Sequence, residues 1–354
     1  MRILLCGGGT AGHINPAIAV GEEMVKRMPS TEILFVGREG GRENEEVTKA
    51  GMSIKTLNIQ GLKRSLSLSN ISRIRNAVKA LGEARRIISD FNPDLILGTG
   101  GYVCWPIIRA GQKMKIPTAI HESNISPGLT TRLLAGKCNR VFLSRDETKR
   151  YLSKKAKAMT VGNPLRTEFA NISRSSARRK LGIREDEILI LSFGGSIGAE
   201  RLNKVVIEVM ERHSTRNPRI KHIHATGKRY FDSINSPYKS GRDGCQIIPY
   251  IHNMPTALRA ADIVICRCGA MTLSELMEVG VASILIPSPN VSDNHQYKNA
   301  RYLSDRGAAM LIEENELTDA RLTELLLSLE NDKNQRKNVA KKEKLTMKKL
   351  SKNF

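Results

Sequence analysis

Two glycine-rich segments, residues 7–13 and 194–199, are the parts of this sequence best suited to hold a bulky anion. Each follows an apolar run, at 2–6 and 188–193, and each precedes a segment with helical periodicity. Glycine lets the backbone come close to a ligand, and the first turn of the next helix offers unpaired N–H groups and the positive end of the helix dipole. The sequence therefore predicts two phosphate-binding turns, one in each half of the chain.

A third segment places polar groups after a predicted strand at 262–266. Arg267, Cys268 and Gly269 follow this strand, and a helix is predicted over 270–279. Glu275 would lie early in that helix, where its carboxylate could accept hydrogen bonds from the vicinal hydroxyls of a ribose. The helix dipole alone also favours a glutamate near a helix N-terminus, so both interpretations stay open.

His13 is the best candidate for a general base, because an imidazole titrates near neutral pH. It could equally serve only to shape its loop, and the sequence leaves these two roles open. His121 and Glu122, which begin a polar segment after the apolar run 117–120, are the reserve candidates. The chain has no Asp-x-Asp pair, so the sequence requires no carboxylate-bound metal and we predict no metal ligands.

The elements that must position these residues alternate between short apolar strands and amphipathic helices. The expected strands are 2–6, 32–36, 94–98, 117–121, 140–143, 188–193, 220–225, 245–248, 262–266 and 282–287. The expected helices are 15–28, 70–90, 127–136, 199–213, 270–279, 294–306 and 318–330. A helix-breaking Gly-Asn-Pro turn lies in 162–167, which we take as the linker. We therefore expect an α/β fold of two doubly wound, Rossmann-like domains, over 1–162 and 163–332, and a basic helix or tail over 333–354.

The charge of the chain is strongly positive and unevenly distributed. The formal net charge is +22, and more than half of the surplus falls in residues 61–92 and 333–354. Such clustering favours contact with an anionic membrane surface. Aromatic residues make up only 4% of the chain and it has no nucleic-acid-binding motif, so we expect no nucleic-acid partner.

Residues 61–92 also carry an apolar stripe at helical spacing. Ile71, Ile74, Val78 and Leu81 would lie on one helix face, which suits either shallow insertion in a membrane or packing on the sheet. The preceding loop, 61–70, is the stronger candidate for membrane contact. No apolar run reaches the roughly 18–20 residues that span a bilayer, so we expect a cytoplasmic chain without a signal peptide. The six cysteines form no paired framework, and we expect reduced thiols.

The sequence gives little support to two common classes of nucleotide-binding enzyme. Residues 7–12 fit the G-x-G-x-x-G dinucleotide pattern, which by itself is a weak signal. A dehydrogenase carries an acidic residue at the end of the second strand, and this end reads Val36-Gly37-Arg38-Glu39, so a dehydrogenase is possible but unsupported. The chain also lacks a Walker sequence, which argues against a P-loop kinase or ATPase.

Several motifs occur together in one order along residues 3 to about 330. They are Gly-Gly-Thr-x-Gly-His, Gly-Gly-Tyr, His-Glu-x-Asn, Gly-Asn-Pro-x-Arg, Gly-Gly-Ser-x-Gly-Ala, Gly-Ala-x-Thr-x-x-Glu and Gln-Tyr-x-Asn-Ala. This set resembles the MurG family, the N-acetylglucosaminyltransferases that complete the lipid-linked precursor of peptidoglycan. The resemblance implies a GT-B type fold in which two domains face each other across a cleft.

The resemblance implies a donor and an acceptor. The donor would be UDP-N-acetylglucosamine (UDP-GlcNAc), and the acceptor undecaprenyl-pyrophosphoryl-N-acetylmuramyl-pentapeptide at the cytoplasmic face of the bacterial cell membrane. The chain would bind there peripherally, with further partners among the proteins of cell-wall synthesis or division. Arg267 stands where retaining transferases of similar fold often carry a second glutamate before Glu275, which fits an inverting route to a β-1,4 linkage.

The resemblance also implies roles for individual residues. Glu275 would contact the ribose, and the backbone near Ile251 the uracil. Ser196 and Arg166 would lie at the nucleotide, while Gln296 and Asn124 would reach the N-acetylglucosamine. The remaining donor contacts would come from two short runs: Thr10, Ala11 and Gly12 in the first domain, and Ala270, Met271, Thr272, Leu273 and Ser274 in the second.

Two other functions remain open at this point. One is another GT-B glycosyltransferase, or an epimerase, that uses a UDP-sugar. The other is a nucleotide-sugar sensor without catalytic activity, which would bind the donor and release no UDP.

Overall fold

The computed structural model describes residues 1–61, 69–214 and 217–351, which form two α/β units. The chain passes from the first unit to the second between Arg166 and Thr167. This point lies inside the segment 162–167 that the Gly-Asn-Pro turn marks as a linker.

The first unit contains a seven-stranded parallel sheet with helices on both faces. Its strands are β1 (Arg2–Cys6), β2 (Glu32–Arg38), β3 (Ser53–Leu57), β4 (Leu95–Gly98), β5 (Thr118–Glu122), β6 (Arg140–Leu143) and β7 (Ala158–Thr160). Its helices are α1 (Ala11–Arg27), α2 (Glu43–Lys49), α3 (Ser69–Phe91), α4 (Cys104–Lys113) and α5 (Leu129–Leu134), with 3-10 turns at Ala135–Lys137 and Asp146–Tyr151. The strand order is β3-β2-β1-β4-β5-β6-β7. Strand β1 pairs with β2 on one side and with β4 on the other, so the chain builds the sheet outward from β1 in both directions.

The alternation of side chains along β1 builds the two cores of this unit. Ile3 and Leu5 pack with residues of α1 and α2, while Leu4 and Cys6 pack on the opposite face with residues of α3 and α4. A strand that is buried on both faces has to be apolar throughout, which is why β1 is a continuous apolar run.

Helix α3 packs on the sheet through a face that differs from the predicted stripe. Ala80, Ala84 and Ile88 are buried in the core, whereas Val78 is 60% exposed. The side chains of Ile71 and Ile74, and most of the 61–70 loop, lie outside the described residues. The prediction that the stripe packs on the sheet is therefore wrong for Val78. The membrane role of this region stays a prediction.

The second unit contains a six-stranded parallel sheet. Its strands are β8 (Ile188–Phe193), β9 (Ile220–Ala225), β10 (Cys245–Ile248), β11 (Ile263–Cys266), β12 (Ala282–Leu285) and β13 (Met310–Leu311). The helices are α6 (Glu168–Asn171), α7 (Arg174–Lys180), α8 (Glu200–Ser214), α9 (Lys228–Phe231), α10 (Met254–Ala260), α11 (Ala270–Val279), α12 (His295–Ser304), α13 (Asp319–Asn331) and α14 (Lys333–Ser351). Short 3-10 turns lie at Pro237–Ser240 and Ser292–Asn294. The order β10-β9-β8-β11-β12-β13 repeats the arrangement of the first sheet around its central strands.

The helices of this unit also cover both faces of their sheet. Residues of α10, α11 and α12 pack on one face with Leu189 and Leu191 of β8. Residues of α8, α13 and α14 pack on the other face with Ile190. The basic C-terminal segment is thus a helix docked on the second unit, a position that the sequence leaves open.

Within the described ranges, no helix combines the length and the apolar character that crossing a membrane requires.

All six cysteines are buried free thiols. Burial raises the pKa of Cys6 and Cys266, so these thiols are protonated and unreactive at neutral pH.

Candidate active site

The first glycine-rich segment turns the chain from β1 into α1 at the carboxyl end of the sheet. Helix α1 begins at Ala11, directly after the turn, with Thr10 as an N-cap whose side chain accepts no capping hydrogen bond. The sequence predicts that this helix begins at residue 15, which is four residues too late. Pro16 therefore lies inside the helix and not in its first turn. Thr10, Ala11 and Gly12 are therefore at the N-terminal turn of a long helix, where backbone N–H groups attract an anion.

His13 is fixed by the loop that follows β4. Its Nδ1 lies 3.2 Å from the carbonyl oxygen of Thr99, and the Thr99 hydroxyl donates to the His13 carbonyl at 2.6 Å. Gly100 has a φ of +112°, and a Cβ there would lie 2.5 Å from His13 Nδ1, so only glycine lets the loop approach the imidazole. Thr99, which the sequence analysis did not single out, thus positions the candidate base.

Glu122 organises the loop after β5. One carboxylate oxygen accepts from the backbone N–H of Asn124 at 3.0 Å and from its side-chain amide at 3.2 Å. The other accepts from the Gly128 N–H at 3.0 Å and from the Thr131 hydroxyl at 2.7 Å. Because these four bonds occupy both oxygens and Glu122 is only 4% exposed, its geometry suits loop positioning better than proton transfer.

His121 ties β5 to the segment that leaves the first unit. Its Nε2 lies 2.9 Å from the carbonyl oxygen of Gly162, and the Asn163 amide donates to the Ser123 carbonyl at 3.4 Å. Burial lowers the pKa of His121, which keeps the imidazole neutral. Both interactions fix the start of the segment that ends at the half-buried Arg166.

The second glycine-rich segment turns the chain from β8 towards α8. Gly195 and Gly198 have φ values of +87° and +89°. A Cβ on Gly198 would collide with the carbonyl oxygen of Thr226, so glycine lets this turn pack against the loop after β9. Ser196 is half-buried, at the middle of the turn.

The loop between β11 and α11 is held by the first turn of α12. The side-chain oxygen of Gln296 accepts from the backbone N–H of Cys268 at 3.1 Å and from that of Ser288 at 2.9 Å. One turn later, the Asn299 amide donates to the Cys268 carbonyl at 3.4 Å. The two amide side chains therefore fix both polar groups of the Cys268 backbone, just before α11 begins.

Arg267 supports the same loop from the other side. Its guanidinium donates to the carbonyls of Ile286 and Pro287, each at 3.2 Å, and forms a bidentate ion pair with Glu314 that includes a 2.9 Å bond. The side chains of Arg267 and Glu314 are 11% and 19% exposed. The arginine is thus committed to structure.

The N-terminal turn of α11 suits an anion, because no acidic side chain lies in it. Gly269 is the N-cap, without a side-chain capping bond, and the first turn contains no acidic residue. The side chains of Met271, Leu273 and Ser274 are buried, so these residues could meet a ligand only through their backbone. Ala270, Thr272 and Glu275 are half-buried and lie nearer the surface.

Ile251 follows β10 and precedes α10. Its side chain is 8% exposed and packs in the core of the second unit. The rings of its neighbours Tyr250 and His252 pack edge to face, 5.2 Å between centroids. The backbone of Ile251 is therefore held by its own buried side chain and by this ring contact between its neighbours.

Among the described residues, no group of three or more His, Cys, Asp or Glu side chains is arranged to hold a metal ion.

The sequence matches two family models in tandem. Residues 3–143 match the glycosyltransferase family 28 N-terminal domain, and residues 189–354 match its C-terminal domain. The chain is 44% identical to the UDP-N-acetylglucosamine–N-acetylmuramyl-(pentapeptide) pyrophosphoryl-undecaprenol N-acetylglucosamine transferase of Acetivibrio thermocellus, over 97% of this chain and 93% of the relative. The protein of the same name from Alkaliphilus metalliredigens is 40% identical over 98% of this chain and 95% of the relative.

The chain belongs to the MurG family of glycosyltransferases. The crystal structure of Acinetobacter baumannii MurG matches with a TM-score of 0.75 at 26% identity, covering 97% of this chain and 94% of that one. The predicted GT-B fold is thereby confirmed, with two parallel-sheet domains.

A structural neighbour from outside the MurG family shows how widely this fold is used. The UDP-GlcNAc 2-epimerase from Neisseria meningitidis matches with a TM-score of 0.65 at 15% identity, over 99% of this chain and 100% of that one. This likeness shows the fold alone. Among the motifs that carry the resemblance to the MurG family, Gly-Gly-Thr-x-Gly-His and Gly-Gly-Ser-x-Gly-Ala lie on the two glycine-rich segments, and Gln-Tyr-x-Asn-Ala contains Gln296 and Asn299.

Proposed function

We propose that the chain transfers N-acetylglucosamine from UDP-GlcNAc to the C4 hydroxyl of the N-acetylmuramyl sugar of undecaprenyl-pyrophosphoryl-N-acetylmuramyl-pentapeptide. The product has a β-1,4 linkage, and the step converts lipid I to lipid II in peptidoglycan synthesis. The observation that carries this proposal is the 44% identity to a transferase of that name over nearly the whole chain.

The leaving group of this reaction is a nucleoside diphosphate, which needs charge stabilisation more than protonation. The N-terminal turn of α11 and the turn at 194–199 orient backbone N–H groups for that purpose. Because Gln296, Asn299 and Arg267 fix the loop before α11, these donors are held in place before the substrate binds. This preorganisation favours stabilisation of the charge that develops as UDP leaves.

Other residues contact the separate parts of UDP-GlcNAc. Glu275 accepts hydrogen bonds from the ribose hydroxyls, the backbone at Ile251 pairs with the uracil, and Ser196 and Arg166 bind at the nucleotide. The amide nitrogens of Gln296 and Asn124 serve the acetamido sugar. Thr10 to Gly12 contribute through the N-terminal turn of α1.

His13 accepts the proton of the attacking hydroxyl. The C4 oxygen forms a bond to the anomeric carbon as the bond from that carbon to the UDP oxygen breaks, and the configuration inverts. The electron pair leaves on UDP, and the proton ends on the imidazole. The ordered contacts of His13 with Thr99 support this assignment, because a base must be held in one orientation.

The chain acts peripherally at the cytoplasmic face of the membrane, where its lipid-linked acceptor is anchored. The basic segment 61–92 of the first unit would contribute to binding there, and the described part includes the exposed Lys79, Arg85 and Arg86. Vesicle binding that ignores both anionic lipid and salt would contradict this part of the proposal.

The decisive experiment measures UDP release from UDP-GlcNAc, with and without a short-chain analogue of the muramyl-pentapeptide lipid. We expect release that depends on both substrates and a product with a β-anomeric linkage by NMR. Conversion of UDP-GlcNAc without any acceptor would favour an epimerase. Tight donor binding with no turnover on any lipid or sugar acceptor would favour a sensor.

A further inference from the structure

The C-terminal helix α14 packs on the second unit through one face. Val339, Glu343 and Thr346 are buried and lie four and three residues apart, which places them on the same side of the helix. The Ser283 hydroxyl donates to the Glu343 carboxyl group at 3.1 Å. Glu343 is the single acidic residue of α14, so the helix hides its only acid in the core.

The opposite face of α14 presents a row of lysines, Lys333, Lys337, Lys341 and Lys344. At 100° per residue these four side chains fall within an arc of about 80° and extend over about 17 Å of the helix. All four are exposed, and in the described part of the chain none of them forms an ion pair. Leu345, which is 46% exposed, lies beside this lysine row.

We propose that the lysine row of α14 is a docking surface for an anionic lipid bilayer. A straight row of unpaired ammonium groups on a rigid, docked helix matches the plane of negative headgroups, and each lysine near such a surface adds favourable electrostatic energy. Leu345 supplies an apolar side chain that suits shallow insertion next to the charges.

The sequence of α14 favours lipid over nucleic acid as the occupant. The helix contains no aromatic residue on which bases could stack, and its one arginine, Arg336, donates to the carbonyls of Leu329 and Glu330 at the end of α13. The choice of lipid also rests on the proposed function, since a lipid-linked acceptor brings the enzyme to a membrane. This contact belongs to the second unit and is separate from the basic segment 61–92 of the first.

The test compares two variants with equal loss of charge. In the first, K333Q/K337Q/K341Q/K344Q neutralises the lysine row. In the control, K113Q/K154Q/K155Q/K157Q neutralises four exposed lysines of the first unit. Co-sedimentation is measured with phosphatidylcholine vesicles, with and without phosphatidylglycerol, at low and high salt.

We expect the α14 variant to lose at least about tenfold in partitioning to vesicles that contain phosphatidylglycerol, and the control to keep most of its binding. Equal losses in both variants would mean that only net charge matters, and unchanged binding of the α14 variant would mean that the row does not touch lipid. Either result overturns the proposal. So does a loss of RNA binding, measured by filter binding on the same two variants, when vesicle binding is unchanged.

Two further measurements separate this proposal from its alternatives. Thermal unfolding of the α14 variant should match that of the unmodified chain, because the four lysines are exposed. Its transfer rate with a water-soluble, short-chain acceptor should also be unchanged. Absence of transfer by the unmodified chain would contradict the proposed function, while the vesicle comparison would still decide the lipid surface.

Discussion

His13 and Thr99 are joined by two hydrogen bonds, one through the imidazole and one through the His13 carbonyl. A carbonyl oxygen can only accept, so His13 Nδ1 carries the proton in the bond to Thr99. Nε2 is then the nitrogen with the lone pair. The geometry therefore selects the tautomer that a general base needs and names the atom that would accept the proton.

Replacing His13 by alanine should lower kcat by about 10²–10⁴-fold, because the attacking hydroxyl loses its proton acceptor. The KM for UDP-GlcNAc should change little. Steady-state kinetics with saturating acceptor measure both quantities.

His13→Asn distinguishes a base from a residue that only shapes the loop. The asparagine amide nitrogen takes the place of Nδ1 and can still donate to the Thr99 carbonyl, but the amide cannot accept the proton. We expect both variants to lose turnover. Recovery of near-normal kcat by asparagine alone would assign His13 to loop shaping.

Gln296 should have separable effects on stability and on donor binding. Gln296→Glu keeps an oxygen acceptor for the N–H groups of Cys268 and Ser288, but it loses the amide donors and adds a negative charge. We expect near-normal thermal stability. The KM for UDP-GlcNAc should rise by about threefold to tenfold, which corresponds to the free energy of one lost hydrogen bond.

Gln296→Ala removes the acceptor as well. Two backbone N–H groups then lose their partner, at about 1 kcal/mol or more each, and the melting temperature should fall by several degrees. Differential scanning fluorimetry checks this difference. Equal melting temperatures for the two variants would show that the Gln296 oxygen does not hold the loop.

The strands that carry the active site were predictable because they are apolar on both faces. The predicted strands at 2–6 and 188–193 coincide with β1 and β8. Two of the edge strands gave no such signal: β3, with the sequence Ser-Ile-Lys-Thr-Leu, alternates polar and apolar residues, and β13 has only two residues. Edge strands are less buried, so their sequences are less constrained.

The glycine-rich turns could be predicted for the same local reason, since each needs only its own few residues. The partners that hold the site could not. Arg267 pairs with Glu314, which is 47 residues away, and Thr99 reaches His13 across 86 residues. Such pairs form only when the sheet order brings separate loops to one edge, and no local pattern in the sequence records that order.

His224 should make the second unit less stable in acid. Its imidazole is fully buried beside the Ser192 hydroxyl, at 2.8 Å, and burial lowers its pKa to about 4. The unfolded chain, with a histidine pKa near 6.5, binds the proton more tightly, so stability is lost as the pH falls from about 6.5 to 4, by roughly 3 kcal/mol in all.

Hydrogen-exchange mass spectrometry of β8 and β9 peptides measures this effect in the full chain. The single tryptophan, Trp105, lies in the first unit and would not report it. His224→Gln should flatten the loss of protection between pH 6.5 and 4. An unchanged slope in this variant would mean that His224 does not carry the acid sensitivity.

Glu343 should have the opposite dependence on pH. Burial raises the pKa of its carboxyl group well above the usual value, against the weaker effect of the Ser283 hydrogen bond. The folded chain therefore keeps this proton at pH values where the unfolded chain has lost it. Stability is complete below the unfolded pKa and falls as the pH rises towards the folded one, by at most about 1.4 kcal/mol per pH unit.

Glu343→Gln removes this titration and keeps the shape of the side chain. Its stability relative to the unmodified chain should therefore increase as the pH rises, measured by exchange protection of β12 and α14 peptides. Glu330, whose pKa burial raises to about 7, adds the same trend to every variant and cancels in the comparison. Glu316→Gln, at an exposed position of the same unit, is the matched control and should follow the unmodified chain. If Glu343→Gln also follows it at every pH, the buried carboxyl group does not set the pH dependence of α14 docking.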